Sequence, residues 1–180
     1  MVFLRGTLRL GAAAMLLLAA ACGSMSAIKS NKSPSYAGGI KRLFGEADLG
    51  TALTYKMSGD EPDVFASTFA KALTACGTQT ELHLEDVLDL KEDTGQRVRQ
   101  FGPDAVLQIK VRSMSTATKG GTIAGFVLSL FDMKSRSVVW KAELTFVPLS
   151  SAGAALAASI IGQMKQDGLI DASCVVPEAS

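Results

Sequence analysis

Residues 105–146 read AVLQIKVRSMSTATKGGTIAGFVLSLFDMKSRSVVWKAELTF, and their spacing decides the architecture. Ala105, Leu107, Ile109 and Val111 point one way while Gln108, Lys110 and Arg112 point the other, the period-two pattern of a strand with one buried face. Gly120-Gly121 supplies the positive-φ residues of a tight reversal. Ile123 to Phe131 is nearly continuous apolar, as in a central strand, and Asp132 to Ser137 is a polar turn. Val138, Trp140, Ala142, Leu144 and Phe146 then alternate with Lys141, Glu143 and Thr145, and Pro148 ends the run. The expectation is a three-stranded antiparallel meander with one buried face.

Working outward, Asp60 is suited to cap a helix that carries Pro62 in its first turn and stops at Gly77. Val64, Phe65, Phe69, Ala72, Leu73 and Cys76 form its apolar stripe. Thr80 to Leu84 alternates like a half-buried strand, and Thr94 to Phe101 is a short helix closed by Gly102-Pro103. Downstream, Ser150 or Ser151 caps a last helix with Leu156, Ile160, Ile161 and Met164 on one side and Gly168 at its stop. Ile40 to Phe44 and Leu53 to Met57 read as two further short strands, with a loop from Gly45 to Gly50 between them. The fold class is α/β (α+β): a mixed sheet with a C-terminal three-stranded antiparallel meander and helices on one or both faces.

The chain has 180 residues, 48% of them hydrophobic, enough for one domain with a sizeable core. With 18 Lys+Arg against 17 Asp+Glu, it has no electrostatic basis for binding nucleic acid. Its first 21 residues stand apart. Arg5 and Arg9 precede twelve residues, Leu10 to Ala21, without a polar side chain. As a helix these rise about 18 Å, short of a bilayer core of roughly 30 Å. A basic start, a short apolar run and small residues at its end make a secretory signal peptide. Residues 22–39, rich in Ser, Lys, Ala and Gly, read as a flexible tether; an arm lying on the domain, anchored by Tyr36, is the alternative. Residues 40–176 form the single α/β domain and 177–180 a tail.

Leu18-Ala19-Ala20-Ala21-Cys22-Gly23-Ser24 resembles the lipobox of bacterial lipoproteins, in which the cysteine sulfur takes a diacylglycerol and becomes the mature N-terminus. Ala20 and Ala21 match its small residues; Ala19 stands where leucine is commonest. The resemblance implies a protein held by two or three acyl chains, whereas one chain alone anchors only marginally. Gly23 follows the cysteine, and the aspartate that acts as an inner-membrane retention signal in many enterobacteria is absent. That places the expected site in the cell envelope, at the periplasmic leaflet of the outer membrane. Loss of Arg5 and Arg9 with the leader leaves 16 Lys+Arg against 17 Asp+Glu.

Few residues carry chemistry. Cys76 and Cys174 either pair in the oxidising periplasm or leave Cys76 as a small hydrophobe at a helix end. His83, the lone histidine, sits in a strand without a recurrent metal spacing and reads as solvent-facing. Ser113, Ser115 and Thr116 near Lys119 lead into a turn, where hydroxyls usually satisfy backbone groups. Glu85-Asp86 and Asp89 to Asp93 read as a solvated acidic loop, and no phosphate-binding glycine loop occurs. No catalytic residue, metal site or cofactor is expected.

Two stretches resemble a family. Residues 101–107, Phe-Gly-Pro-Asp-Ala-Val-Leu, are similar to the strand entry of small periplasmic lipoproteins. Asp132-Met133-Lys134-Ser135-Arg136-Ser137-Val138-Val139-Trp140 is similar to their hairpin. The resemblance, over roughly residues 60–168, is to envelope lipoproteins whose α/β domain is like that of the curli-secretion lipoprotein and the N-terminal domain of the Tol system's propeller protein. It implies a non-enzymatic binding or accessory component of an envelope assembly, secretion or transport machine. Its partners would be the membrane, through the N-terminal lipid, and an envelope protein or a second copy. The alternative is a small-ligand or lipid carrier, which needs an apolar cavity of several hundred Å³ under the meander.

Overall fold

The structure, a computed structural model, describes residues 26–49, 60–85, 93–116, 122–147 and 152–174. It is a mixed α/β fold in which three helices flank an open six-stranded sheet. In chain order the elements are β1 (Ser26–Lys32), β2 (Arg42–Asp48), α1 (Glu61–Ala75), β3 (Gln79–Leu84), α2 (Thr94–Phe101), β4 (Ala105–Thr116), β5 (Thr122–Asp132), β6 (Ser137–Phe146) and α3 (Ala152–Gln166). Across the sheet the order is β1-β6-β5-β4-β2-β3. The meander β4-β5-β6 is antiparallel as expected, β1 joins it antiparallel to β6, and β2 runs parallel to both β4 and β3.

The two parallel crossovers explain the helix layout. From β2 the chain steps outward to β3 through α1, then returns past β2 to β4 through α2. Crossovers of one hand taken in opposite directions put their helices on opposite faces. Accordingly Leu43, Leu107 and Ile109 share the main core with α1 and α3, whereas their neighbour Phe44 lies under α2, its ring 6.2 Å from that of Phe101. The main core is built on Phe65, Phe69 and Leu73 of α1, Leu156, Ile160 and Met164 of α3, and Phe126, Leu128, Trp140 and Phe146 of the sheet. Burying each such side chain stabilises the fold by roughly 1.5–3 kcal/mol relative to exposure. Trp140 keeps its one polar atom satisfied, Nε1 donating to Asp167 Oδ2 at 2.6 Å.

Several expectations are corrected. Ser26–Lys32, expected within a flexible tether, is a strand paired with β6 from Ser26 opposite Phe146 to Lys32 opposite Trp140. It was hidden because Ile28 is the one large apolar residue among its inward positions, and its stability comes from the β6 edge. The arm continues over the domain: Gly39 N donates to Leu169 O at 2.9 Å, and Tyr36 packs against the core. The second strand runs through Gly45 rather than ending at Phe44, because pairing with β3 and β4 continues past it on both sides, and a side chain at 45 would run into that of Leu82. On β6, Val138 is exposed, 46%, while Val139 and Trp140 are both buried. A register shift between Leu130 and Phe131 leaves Val139 as an extra residue, which reverses the alternation before Trp140. Asp60 occupies the N-cap of α1 but its side chain makes no capping bond. The expected strand at Leu53–Met57, the reversal at Gly120-Gly121, the Ser150/Ser151 cap, Pro148, the leader and the tail 177–180 lie outside the described residues.

α1 and α3 meet at their N-terminal ends. The backbone N of Gly153 donates to Glu61 Oε2 at 2.7 Å, which places a carboxylate at the positive end of the α3 dipole. A Cβ at 153 would run into the Glu61 carbonyl, whereas one at Gly162 meets nothing within 4 Å. In thermal or urea unfolding, Gly153→Ala should therefore destabilise the domain by about 1–3 kcal/mol. Gly162→Ala, in a helix interior, should be neutral or stabilise by up to about 1 kcal/mol.

Candidate functional site

A polar cleft opens where β1 leaves the sheet and the β5–β6 turn folds back over the start of β4. It encloses about 560 Å³ and is lined by Tyr36, Asp104, Asp132, Lys134, a group of serines and the Gly38-Gly39 backbone. Asp104 holds three segments together. Its Oδ2 accepts from the amides of Lys41 (3.0 Å) and Arg42 (2.9 Å), its own amide donates to Arg42 O, and its carbonyl accepts from Met133 N. Asp132 closes the turn, Oδ2 accepting from Ser135 N at 2.6 Å. The Ser135 side chain and amide together hold its carboxyl below the usual range. Both carboxylates thus brace the backbone while presenting negative charge to the cleft.

Tyr36 feels that charge. Burial first, then Asp132 and Asp104, push its phenol up to about 12. At neutral pH it is a protonated phenol lining the same cleft as the two carboxylates. The cleft therefore offers donors, acceptors and charge for a polar ligand, with Lys134 as a counter-charge at its rim.

A second polar cluster lies on the sheet face under α2. Arg97 donates to Glu81 Oε1 through Nε (3.1 Å) and Nη2 (3.0 Å), and its Nη1 lies 3.0 Å from His83 Nδ1. His83, expected to face solvent, is buried, 8% exposed. The reason is α2, which crosses over β3 and brings Arg97 down onto it. Beside this, the Arg42 guanidinium sits 4.8 Å from the Phe101 ring centroid and donates to Phe101 O.

The other expected residues are scattered. Cys76 caps α1, and Cys174 follows α3 and comes to it, with Cα atoms 5.0 Å apart and sulfurs at bonding distance. Cys22, Asp86, residues 89–92 and Lys119 lie outside the described residues; Asp93 caps α2 through Gln96 N. Ser113 and Ser115 are exposed on β4, and Ser113 Oγ occupies the space that a side chain at Gly125 would need. Among the described residues no group of three or more His, Cys, Asp or Glu is placed to hold a metal, and no helix is long and apolar enough to cross a membrane. The space beneath the meander, where a carrier needs its cavity, is occupied by Phe126, Leu128, Leu156 and Ile160, each at most 1% exposed.

No family model and no curated protein matches the sequence. Among solved structures the chain is similar to a PelC dodecamer from Paraburkholderia phytofirmans, in two crystal forms, one of a point variant. The variant form is 20% identical with a TM-score of 0.49, and the other 21% identical with 0.46; each likeness covers 77% of this chain and 94% of that one. It is also similar to a PDZ domain protein from Parabacteroides distasonis, 9% identical with a TM-score of 0.38, over 79% of this chain and 36% of that one.

The raised Tyr36 pKa gives a pH-dependent test. A phenol more easily kept protonated in the folded state contributes stability that is full below its ordinary value of 10.0 and is lost as pH climbs through about 12. In an alkaline titration followed by phenolate absorbance, Tyr36→Phe should remove a step centred at about 12. It should also flatten the loss of stability between those two values.

Proposed function

We propose that this chain is a lipid-anchored bacterial envelope protein, acylated on Cys22 and held at the periplasmic leaflet of the outer membrane. It works by binding another envelope component, as an accessory of an assembly, secretion or transport machine, and not by catalysis. The observation that carries this reading is the joint between leader and fold. A short apolar leader ends in small residues and a cysteine, and four positions later the chain enters a strand of the sheet. In this reading residues 1–21 leave with the leader, and Cys76 and Cys174 close as a disulfide in the oxidising compartment. The partner is a protein of the envelope or a second copy of this chain. Among the described residues, β1 and β3 each have a strand on one side only, the feature on which strand addition builds. The filled space under the meander disfavours the carrier reading.

Expressed in a diderm host, the wild-type chain should take up an alkyne analogue of palmitate and fractionate with outer membranes. Cys22→Ser should take up none and appear in the periplasmic soluble fraction; unchanged fractionation of that variant would overturn the proposal. Unreduced protein should show no free thiol at 76 or 174. Reduction, or Cys174→Ser, should lower unfolding stability by about 2–5 kcal/mol, because the bridge closes a long loop. Free thiols in freshly isolated protein would refute the pairing.

A further inference from the structure

We propose that the domain stands end-on against the bilayer, with the corner of the sheet formed by the start of β1, the end of β4, the start of β5 and the end of β6 touching lipid. The polar cleft then faces away from the membrane. This rests on acylation at Cys22.

The first argument is the length of the leash. Ser26 is four residues beyond Cys22, and an extended chain covers at most about 3.3–3.6 Å per residue, so the acylated residue lies within about 14 Å of the start of β1. Ser26 cannot drift, because its pairing opposite Phe146 continues without a break to Lys32 opposite Trp140.

The register then locates the rest. Ser26, Phe146, Ala124 and Met114 form one row across four neighbouring strands. At about 4.8 Å per strand, the whole row lies within about 15 Å of Ser26. Asp132, in the cleft, is eight residues along β5 from Ala124, about 26 Å farther from the anchored end.

The second argument is charge. Residues 26–28, 113–116, 122–128 and 144–147, the anchor-side parts of these four strands, contain no Asp, Glu, Lys or Arg. Met114 stands 49% exposed there, the most exposed of the large hydrophobic residues described. Elsewhere charge returns. The open face of the sheet presents exposed Lys29, Lys110, Lys141 and Glu143, which disfavours a molecule lying flat with that face in the acyl region. On the far side of the same end, Asp48, Asp60 and Glu85 keep β2, β3 and the start of α1 out of the lipid. The molecule therefore meets the bilayer at a corner, tilted toward β1 and β4.

The test uses the full-length acylated protein, purified from envelopes and reconstituted into vesicles of phosphatidylethanolamine and phosphatidylglycerol containing phosphatidylcholine brominated on its acyl chains. Bromine quenches tryptophan on contact, and the single native Trp140 is 1% exposed and far from the anchored row. Met114→Trp and Met133→Trp both replace exposed side chains, at 49% and 39%. The added emission at 114 should be quenched, while that at 133 and the native Trp140 emission should be unaffected. Hydrogen exchange on the wild-type protein, bound to vesicles against the soluble Cys22→Ser form, should show protection at 113–116 and 144–147 and none at 133–137. Intact mass decides first whether Cys22 carries lipid. A bare sulfur overturns the anchoring and this orientation together. A lipidated protein with quenching at 133, or with no quenching and no protection at the 114 row, overturns the orientation alone.

Discussion

The fold depends on one contact, the apolar face of the sheet against the paired helices α1 and α3. Helices of this length are marginal in isolation, α1 lacks a side-chain cap, and two glycines in α3 offset part of the preference of its alanines for the helix. What holds them is burial of Phe65, Phe69, Leu156 and Ile160 against strand residues distant in sequence. Gly153 lets the helices close on each other, and the Glu61 carboxylate fixes their relative height. Every other feature is attached to this slab: the α2 cluster on its back, the β1 arm along its edge, and the cleft at its end.

The parts legible in the sequence were those governed by short-range periodicity. β4 alternates as its residues suggest, β5 lies between two strands as its nearly continuous apolar run suggests, and α2 runs over the stretch expected to be a short helix. Failures occurred where a distant residue decided the outcome. Val138 and Val139 exchange roles because a bulge against Phe131 inserts a residue, which no single-strand pattern records. Gly45 reads as a loop residue until Leu82 is seen to need its space. His83 reads as exposed until a helix starting eleven residues later lays Arg97 over it. β1 had almost no signal of its own, since its pairing is conferred by β6.

The cleft was harder still, because it belongs to no single element. Tyr36 and Asp104 lie in two separate connections and Asp132 at the end of β5, and they converge only when β1, β4 and β5 are in register. The sequence does hold a local clue, Asp132 three residues before Ser135, a spacing at which an aspartate side chain accepts from a backbone N–H as a helix cap does. Nothing local ties that turn to Asp104 or to a tyrosine nearly a hundred residues earlier. The cleft and the α2 cluster are also chemically unlike. One is an open acidic recess with a protonated phenol; the other is a half-buried Arg–Glu pair over a buried histidine that secures a helix.

The direction of β1 has a mechanical consequence. Its ladder to β6 is antiparallel, with hydrogen bonds perpendicular to both strands. A pull transmitted through the residues before Ser26 runs along the strand axis, so all seven pairs share the load at once instead of unzipping one by one. Traction on the leading end is thus borne in shear by the sheet itself, and a short polar strand with little intrinsic stability becomes a strong point of attachment.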